Sequence, residues 1–584
     1  MENTTQREAT LEEAIQLGLT TREFEMIKVI LGRIPNFAEI NIFGVIWSEE
    51  HSFKNSCKYL KDLPTIKGVG FGDGTMCELK VTSNTLSTNT ESPTRLVTRI
   101  NSFRFGNLEE NRVKDLIKEL VKSQNIDTTP TIGQDVFFDD SFNNKPMLNT
   151  FTVGIVNPNE NNAPDPFENT SYSKRIRNVL ADALGVNENE INVVKENENI
   201  QYFQNDLLLA DLPINSLIVG EGTPDYTNKY TEPAYFKEYK SFNIDNVREP
   251  DDLREVATFL LKHPNISSRR WFSNQAGTVS SIPENTNTIN IDGKNSALAM
   301  SVGCNPRYIN ADPEIGTSIG VAEAARKIVC TGGVSKAISF CMNFGNQNNP
   351  ESFWQFVNSI QGIATACKRF NTPVSDKIVS FSDASIKGGT EVSPFPSSTI
   401  GMIGLIENKN KVMTPDFKHK GDLIFIIGEA VECIASSEYL YSYHGIKASP
   451  APYFNMDKEF EMQEVVKTII QKELINAAHD CSAGGIFITL TEMAIPRELG
   501  FDIVSDAEIR EDAFLFGEAS GRVLVGVNED SEDDFIEFMM DSGVNFTLLG
   551  HVTQGKMVVD DEHYGFIQAA KLTYNSSLEK LIEQ

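Results

Sequence analysis

The sequence predicts an α/β (α+β) protein made of two similar halves. Three observations carry this. Strand-like runs alternate with helix-like runs along most of the 584 residues. A set of blocks recurs in the same order about 240 residues apart, a period too long for a solenoid and suited to duplicated domains. Hydrophobic residues make up 40% of the chain, so buried cores are feasible, and the length allows roughly three to five domains.

From the N-terminus, LEEAIQLG (11–18) reads as a helix ending on a glycine stop. Thr21 is predicted to cap REFEMIKVILG, with Glu23 and Glu25 near the positive helix end. PNFAEINIFGVIWSEEHS (35–52) reads as a further helix, with Phe37, Ile40, Phe43, Val45 and Ile46 at roughly helical spacing. GVGFGDG (68–74) is glycine-dense, but it has neither GxGxxG nor GK[ST] and leads into the strand CELKVTS. A turn before a strand is therefore preferred to a phosphate cradle.

The repeat follows. Its first copy is INSFRFGN (100–107), helix NRVKDLIKELVKSQ (111–124), TPTIGQDVFFDDS (129–141) and NTFTVGIVN (149–157). Its second is SFCMNFGN (339–346), helix FWQFVNSIQGIATACKRF (353–370), TPVSDKIVSFSDAS (372–385) and STIGMIGLIEN (398–408). Between the copies, 158–245 is rich in Asn, Glu and Pro, as in NPNENNAPDPFENTSYS and VKENENIQ, and predicts long loops or a mobile insert, with one helix, YSKRIRNVLADALG, and one buried strand, SLIVGEG, within it. After the second copy come strand GDLIFIIGEA, helix EFEMQEVVKTIIQKELI, the turn AAHDCSAGG (477–485), FLFGEASGRVLVGV closing on a strand, and NEDSEDD as a solvated helix start. These boundaries predict five segments: 1–65, 66–157, 158–265, 266–410 and 411–584.

The chain holds 81 acidic and 52 basic residues, a net charge of −29. That favours solubility and disfavours nucleic-acid binding; a small anionic substrate would need a locally basic pocket. The N-terminus carries no apolar run of a signal peptide, and no stretch approaches the roughly 20 apolar residues of a membrane span. Eight cysteines without CxxC pairing read as reduced thiols of a cytoplasmic protein, and seven histidines without HxxxH or HExxH spacing argue against zinc.

Several blocks together resemble the large subunit of phosphoribosylformylglycinamidine synthase, of the aminoimidazole-ribonucleotide-synthetase superfamily. They are LTTREFEMIKVILGRIPNFAEINIFGVIWSEEHSFKNSCKYL (19–60), ALAMSVGCNPRYINADPEIGTSIGVAEAARKIVCTGG (297–333), NFGN with FWQF, and the first-copy runs INSFRFG and TPTIGQDVFFDDS. The resemblance spans about three quarters of the chain. It implies ATP-dependent conversion of formylglycinamide ribonucleotide to its amidine, with ATP or ADP and Mg²⁺ as cofactors. It also implies two pseudo-symmetric halves sharing a central barrel-like sheet, with flanking nucleotide-binding-type domains, the first one truncated.

The departures fall on the chemistry. Where the family has WSEHCSYK, the chain has WSEEHSFK, so the catalytic histidine position is Glu50 and His51 follows it. A helix turns ~100° per residue, so His51 would face elsewhere; it is the one weak catalytic candidate. In the family's K-[IV]-E-S-H-N-H-P strand, Lys80 and Ser83 remain while Thr82, Asn84 and Leu86 replace a metal-binding glutamate and two histidines. A glycine-rich segment after it is absent. Lys54, Lys80 and Arg104 are the first-half phosphate candidates, and no intact metal set is expected there. In the second half, Gly303 stands for an aspartate, Lys327 for an asparagine and Ala483 for a glutamate, while Glu323, Asp480, Glu518 and Arg522 are kept. Glu323 and Asp480 are the metal candidates, with Lys327 able to substitute its charge for the ion.

Packing positions Phe24, Ile27, Trp47, Phe344, Trp354 and Leu405 stay apolar. Polar loss with apolar retention points to a catalytically impaired homologue acting as a scaffold or regulatory partner of an authentic synthase or a glutaminase subunit. The alternatives are an active synthase subunit with a rearranged site, and another ATP-dependent activity seated in the second half.

Overall fold

The computed structural model describes residues 7–49, 53–70, 76–83, 94–123, 129–156, 176, 177, 179–181, 183, 185–187, 190–217, 222–275, 287–382, 385–387, 390–392 and 394–584. His51 lies outside them, as do Glu50, Asn84 and Leu86, and most of the glycine-dense loop.

The N-terminal helices are fixed by local chemistry. Helix Thr21–Leu31 is capped by Thr20, not Thr21: its hydroxyl accepts from the Glu23 amide at 3.1 Å and the Glu23 carboxylate accepts from the Thr20 amide at 2.7 Å. This reciprocal box needs Thr and Glu three residues apart, which only Thr20 satisfies. Gly32 ends the helix at φ 66°. Asn36 and Glu39 repeat the box at helix Phe37–Ile46.

The repeat is realised as two five-stranded sheets. The first is built from β1 (Val69–Gly70), β2 (Met76–Ser83), β3 (Thr94–Phe105), β4 (Thr131–Phe138) and β5 (Met147–Val156), in the order β1-β2-β5-β3-β4. Then come three strands of the interval between the copies, β6 (Ile191–Glu196), β7 (Asn199–Gln204) and β8 (Leu207–Pro213). The second five-stranded sheet comprises β9 (Thr288–Asn290), β10 (Ala297–Gly303), β11 (Val334–Phe344), β12 (Val374–Phe381) and, after the small β13–β14 hairpin (Ser385–Lys387, Thr390–Val392), β15 (Ser397–Ile406). Its order, β12-β11-β15-β10-β9, is the first order read backwards with each strand replaced by its repeat. The irregularities repeat too. β3 slips against β4 at Arg99/Ile100 and β11 against β12 at Ile338/Ser339; β3 slips against β5 at Leu96/Thr98 and β11 against β15 at Ser335/Ala337. Shared bulges mark one inherited unit, since each inserts a residue at a defined ladder position.

The two sheets pack on one core that mixes Leu79, Phe151 and Val153 with Met300, Cys341 and Ile403. Polar contacts cross as well: Val81 N–H donates to Asp376 at 3.1 Å, and the Ser339 and Ser375 hydroxyls donate to the Leu79 carbonyl at 2.9 and 3.0 Å. The barrel-like centre thus takes the form of two packed sheets; among the described residues no backbone ladder closes them into one barrel.

The stretch between the copies departs from the sequence reading. VKENENIQ is not a long loop but a tight hairpin joining β6 to β7, with Asn197 at φ 54° in the turn. Asn tolerates that left-handed conformation, so an Asn/Glu-rich run serves as turn and exposed strand face. Ser216 and Leu217, which open SLIVGEG, lie in a single-turn 3₁₀ segment, Ile214–Leu217, and 218–221 lie outside the described residues. The β6–β8 sheet shares its core with the N-terminal helices; Asn36 donates to the Leu209 carbonyl and the Trp47 indole to the Ser216 carbonyl, both at 2.9 Å.

The last domain is a seven-stranded sheet, β16 (Leu423–Ile427), β17 (Ala477–Asp480), β18 (Gly500–Ile503), β19 (Val523–Val527), β20 (Phe546–Thr553), β21 (Lys556–Val559) and β22 (Glu562–Phe566), ordered β17-β19-β16-β20-β18-β21-β22. Helices Met456–Gln471, Gly485–Ala494 and Ile567–Glu583 cover it. All eight cysteines are free thiols. No helix among the described residues is long and apolar enough to cross a membrane.

Candidate functional site

The kept polar residues of the second half meet where β10, helix Pro313–Cys330 and the C-terminal end of β17 converge. The helix starts on Asp312, whose carboxylate accepts from the Glu314 and Ile315 amides, with Pro313 in the first turn. It lies unusually close to β10: a Cβ added to Gly303 would sit 2.0 Å from the Gly320 carbonyl oxygen. The aspartate that the family resemblance expects at 303 therefore has no room in this packing.

One turn apart on that helix, Glu323 and Lys327 pair. The Lys327 ammonium donates to Glu323 Oε1 at 2.5 Å and to the Val302 carbonyl at 3.2 Å. Burial alone would lower its pKa, but Glu323, Asp480 and Asp135 together hold it raised. Its neighbour Arg326 is buried and bonds both oxygens of Glu459 at 2.8 and 2.7 Å.

Asp480 ends β17 and is buried. Burial would raise its pKa, yet His479, Lys327 and Arg326 outweigh it and hold the carboxyl well below the usual range. Its Oδ2 is buried without a hydrogen-bond partner. His479 is enclosed by Asp480 (3.6 Å) and Glu492 (3.4 Å), and the Tyr574 hydroxyl donates to Glu492 at 2.5 Å.

Glu518 is buried and fully engaged. One oxygen accepts from the amides of Glu438 (2.9 Å) and Gly484 (2.7 Å), the other from the Tyr308 hydroxyl. Burial raises its pKa. The Gly484 amide is aimed by a turn in which Gly484 and Gly485 have φ 80° and 73°, conformations that favour glycine. Arg522, also buried, donates to the Ala519 and Gly517 carbonyls at 3.0 and 2.7 Å, and burial lowers its pKa.

Among the described first-half candidates, Arg104 alone reaches this junction. It is buried on β3, donates to Asp135 at 2.6 Å and to the Phe103 carbonyl at 2.8 Å, and reaches the Cys304 carbonyl of the second half at 3.3 Å. Lys54 lies elsewhere, buried against Glu23 at 2.8 Å. Lys80 sits half-exposed on β2, 3.7 Å from Glu78. Ser83 ends β2 with its hydroxyl buried and unpartnered, as is that of Thr82. Arg307, Glu438, His479 and Asp135 complete the junction and are not singled out by sequence: Arg307 donates to Glu438 at 2.9 Å from 131 residues away, whereas His479 adjoins the candidate Asp480.

These residues do not fit a divalent cation. Among the described residues no three His, Cys, Asp or Glu side chains gather as a metal set, and Glu323 faces an ammonium. A cavity of about 290 Å³ lies beyond Glu459, lined by Glu429, Tyr453, Lys458, Ser520 and Gly521, and contains none of the sequence-derived candidates.

Three family models match the chain: the formylglycinamide ribonucleotide amidotransferase linker domain over 9–54, and the AIR synthase related protein N-terminal and C-terminal domains over 283–406 and 419–561. Phosphoribosylformylglycinamidine synthase subunit PurL of Alkaliphilus metalliredigens is 27% identical over 696 aligned positions, covering 92% of this chain and 94% of the relative. Its counterpart in Chlorobium luteolum is 28% identical over 733 positions, covering 94% of each. Both alignments are longer than this 584-residue chain, so the relatives carry segments it lacks. The crystal structure of phosphoribosylformylglycinamidine synthase II from Thermotoga maritima superposes with a TM-score of 0.59 at 15% identity, covering 91% of this chain and all of that one. That likeness establishes shared fold. With its duplicated sheets and its matched linker and synthetase domains, the chain belongs to the PurL family, the large subunit of formylglycinamide ribonucleotide amidotransferase.

Proposed function

We propose that this chain is a catalytically impaired member of the family that works by binding, as a scaffold or regulatory partner of an authentic synthase or of a glutaminase subunit in the cytoplasm. One observation carries the reading: most of the charged groups that survive the motif losses are spent on partners within the fold, although Lys80 stays half-exposed. Lys54 neutralises Glu23, Arg104 neutralises Asp135, Lys327 neutralises Glu323, and Glu518 is saturated by two amides and a hydroxyl. Groups so engaged bind substrate phosphate only by breaking these pairs, which is costly at the buried Lys54 and Arg104 and less so at the half-buried Lys327.

A second reading, an active synthase subunit with a rearranged site, is favoured by coverage. Relatives named as synthase subunits align over 92–97% of the chain. It would give His51 the catalytic role. Adenine nucleotide is the first ligand to try under either reading, since Thermotoga maritima PurL is known in complex with AMPPCP, ATP and ADP. The PurLQS structure from the same organism makes an assembly of this kind the natural place to look for partners.

The test is ADP release by the full chain with formylglycinamide ribonucleotide, ATP, Mg²⁺ and excess ammonium, which bypasses a glutaminase. The expected result is no substrate-dependent release. Release that requires the ribonucleotide and disappears in His51→Ala assigns the active reading. Release without the ribonucleotide assigns another ATP-dependent activity, seated around Glu323, Asp480, Glu518 and Arg522.

A further inference from the structure

The seam between helix Pro313–Cys330 and β17 brings two carboxylates from different domains toward one ammonium. Glu323 comes from the helix and accepts from Lys327; Asp480 comes from the strand and feels the Lys327 charge without a hydrogen bond to it. Asp480 is 6% exposed, and its Oδ2 is buried with no hydrogen-bond partner. An unpaired buried carboxylate oxygen is costly unless a cation lies near it. Asp135 of the first half, itself paired with Arg104, adds to the negative field at the same ammonium, and Arg326 and His479 add positive charge near Asp480. Gly303 gives a second, independent indication. It ends β10 directly after Val302, whose carbonyl receives the Lys327 ammonium, and has no room for even a methyl group against the Gly320 carbonyl. No acidic side chain can be added there to complete a metal set.

We propose that Lys327 is a resident cation that, paired with Glu323 and seated on the Val302 carbonyl, stands in place of metal at this seam and closes it to a divalent ion and to metal-bound phosphate. A lysine supplies one charge and three directional donors; a magnesium ion supplies two charges, needs a near-octahedral shell of oxygens and keeps positions open to phosphate. The seam therefore keeps a positive charge and loses the open coordination. This holds whether or not the chain turns over ATP.

Mn²⁺ binding to the full chain, read by electron paramagnetic resonance, tests it. In the wild type, Glu323→Gln leaves Mn²⁺ uptake unchanged and lowers the melting temperature, while EDTA leaves the wild-type melting temperature unmoved. Lys327→Asn gains one Mn²⁺ per chain, bound about tenfold or more tighter than any wild-type uptake at this seam, and the double variant with Glu323→Gln loses that gain. Loss of a bound Mn²⁺ from the wild type on Glu323→Gln overturns the proposal, as does a folded Lys327→Asn variant that gains none. If Lys327→Asn does not fold, the wild-type and Glu323→Gln comparison decides alone.

Discussion

His479 is an imidazole enclosed by the carboxylates of Asp480 and Glu492. Burial alone would lower its pKa, but those two partners outweigh it and raise it well above the ordinary value. A raised folded pKa means the stabilisation is fully present below the unfolded value of about 6.5 and is lost as pH climbs through the folded value. Asp480 has the opposite sign: its lowered pKa stabilises above about 3.9 and that contribution fades as pH falls through the folded value. The wild-type melting temperature should therefore decline on the alkaline side of about pH 6.5. His479→Gln should melt lower near pH 6 and show a flatter alkaline decline, measured by circular dichroism across the pH range; parallel curves would contradict the assignment. Asp480 is visible in HDCSAGG as a kept residue, whereas the charge on His479 is not, because Glu492 reaches it only after the following helix has folded back.

At the scale of elements, the close approach of helix Pro313–Cys330 to β10 is what shapes the junction. Gly303→Ala places a methyl group 2.0 Å from the Gly320 carbonyl oxygen, and backbone cannot swing aside as a side chain does. It should cost about 3 kcal/mol or more, read by chemical denaturation, and a loss under about 1 kcal/mol would show that the helix can lift off the strand. The elements of the repeat are legible in the sequence because each strand is an apolar run bounded by turn residues. TPTIGQDVFF and STIGMIGLIEN stand out this way, and both form strands. The β6–β7 hairpin is not legible, since its strands carry Asn, Lys and Glu on an exposed face and its turn rests on the backbone tolerance of Asn197. The cap falls on Thr20, one residue before the expected Thr21, because two adjacent threonines present the same side chain and only the spacing to Glu23 separates them. The ion pairs of Lys54 and Arg104 were illegible altogether, because Glu23 and Asp135 lie 31 residues away in each case.

Over the whole molecule, the two halves are joined by a shared apolar core instead of a linker. Phe151 of β5 fills the space over Gly401 of β15, where an added Cβ would lie 2.2 Å from its ring, and Asn149 bonds Thr399 beside it at 3.2 Å. Phe151→Ala should cost about 3–5 kcal/mol and lower the stability of both halves together, checked by whether probes in each half still melt in one transition; a loss confined to the first half would contradict a common core. Away from that centre, Phe24, Ile27 and Trp47 are buried in the N-terminal core and Phe344 in the core of the second half. The most direct measurement of the central claim is a single-turnover reaction at stoichiometric enzyme, with formylglycinamide ribonucleotide, ATP, Mg²⁺ and ammonium, analysed by mass spectrometry for the amidine. A catalytically impaired scaffold predicts unconverted ribonucleotide, and formation of about one equivalent of amidine per chain would contradict it.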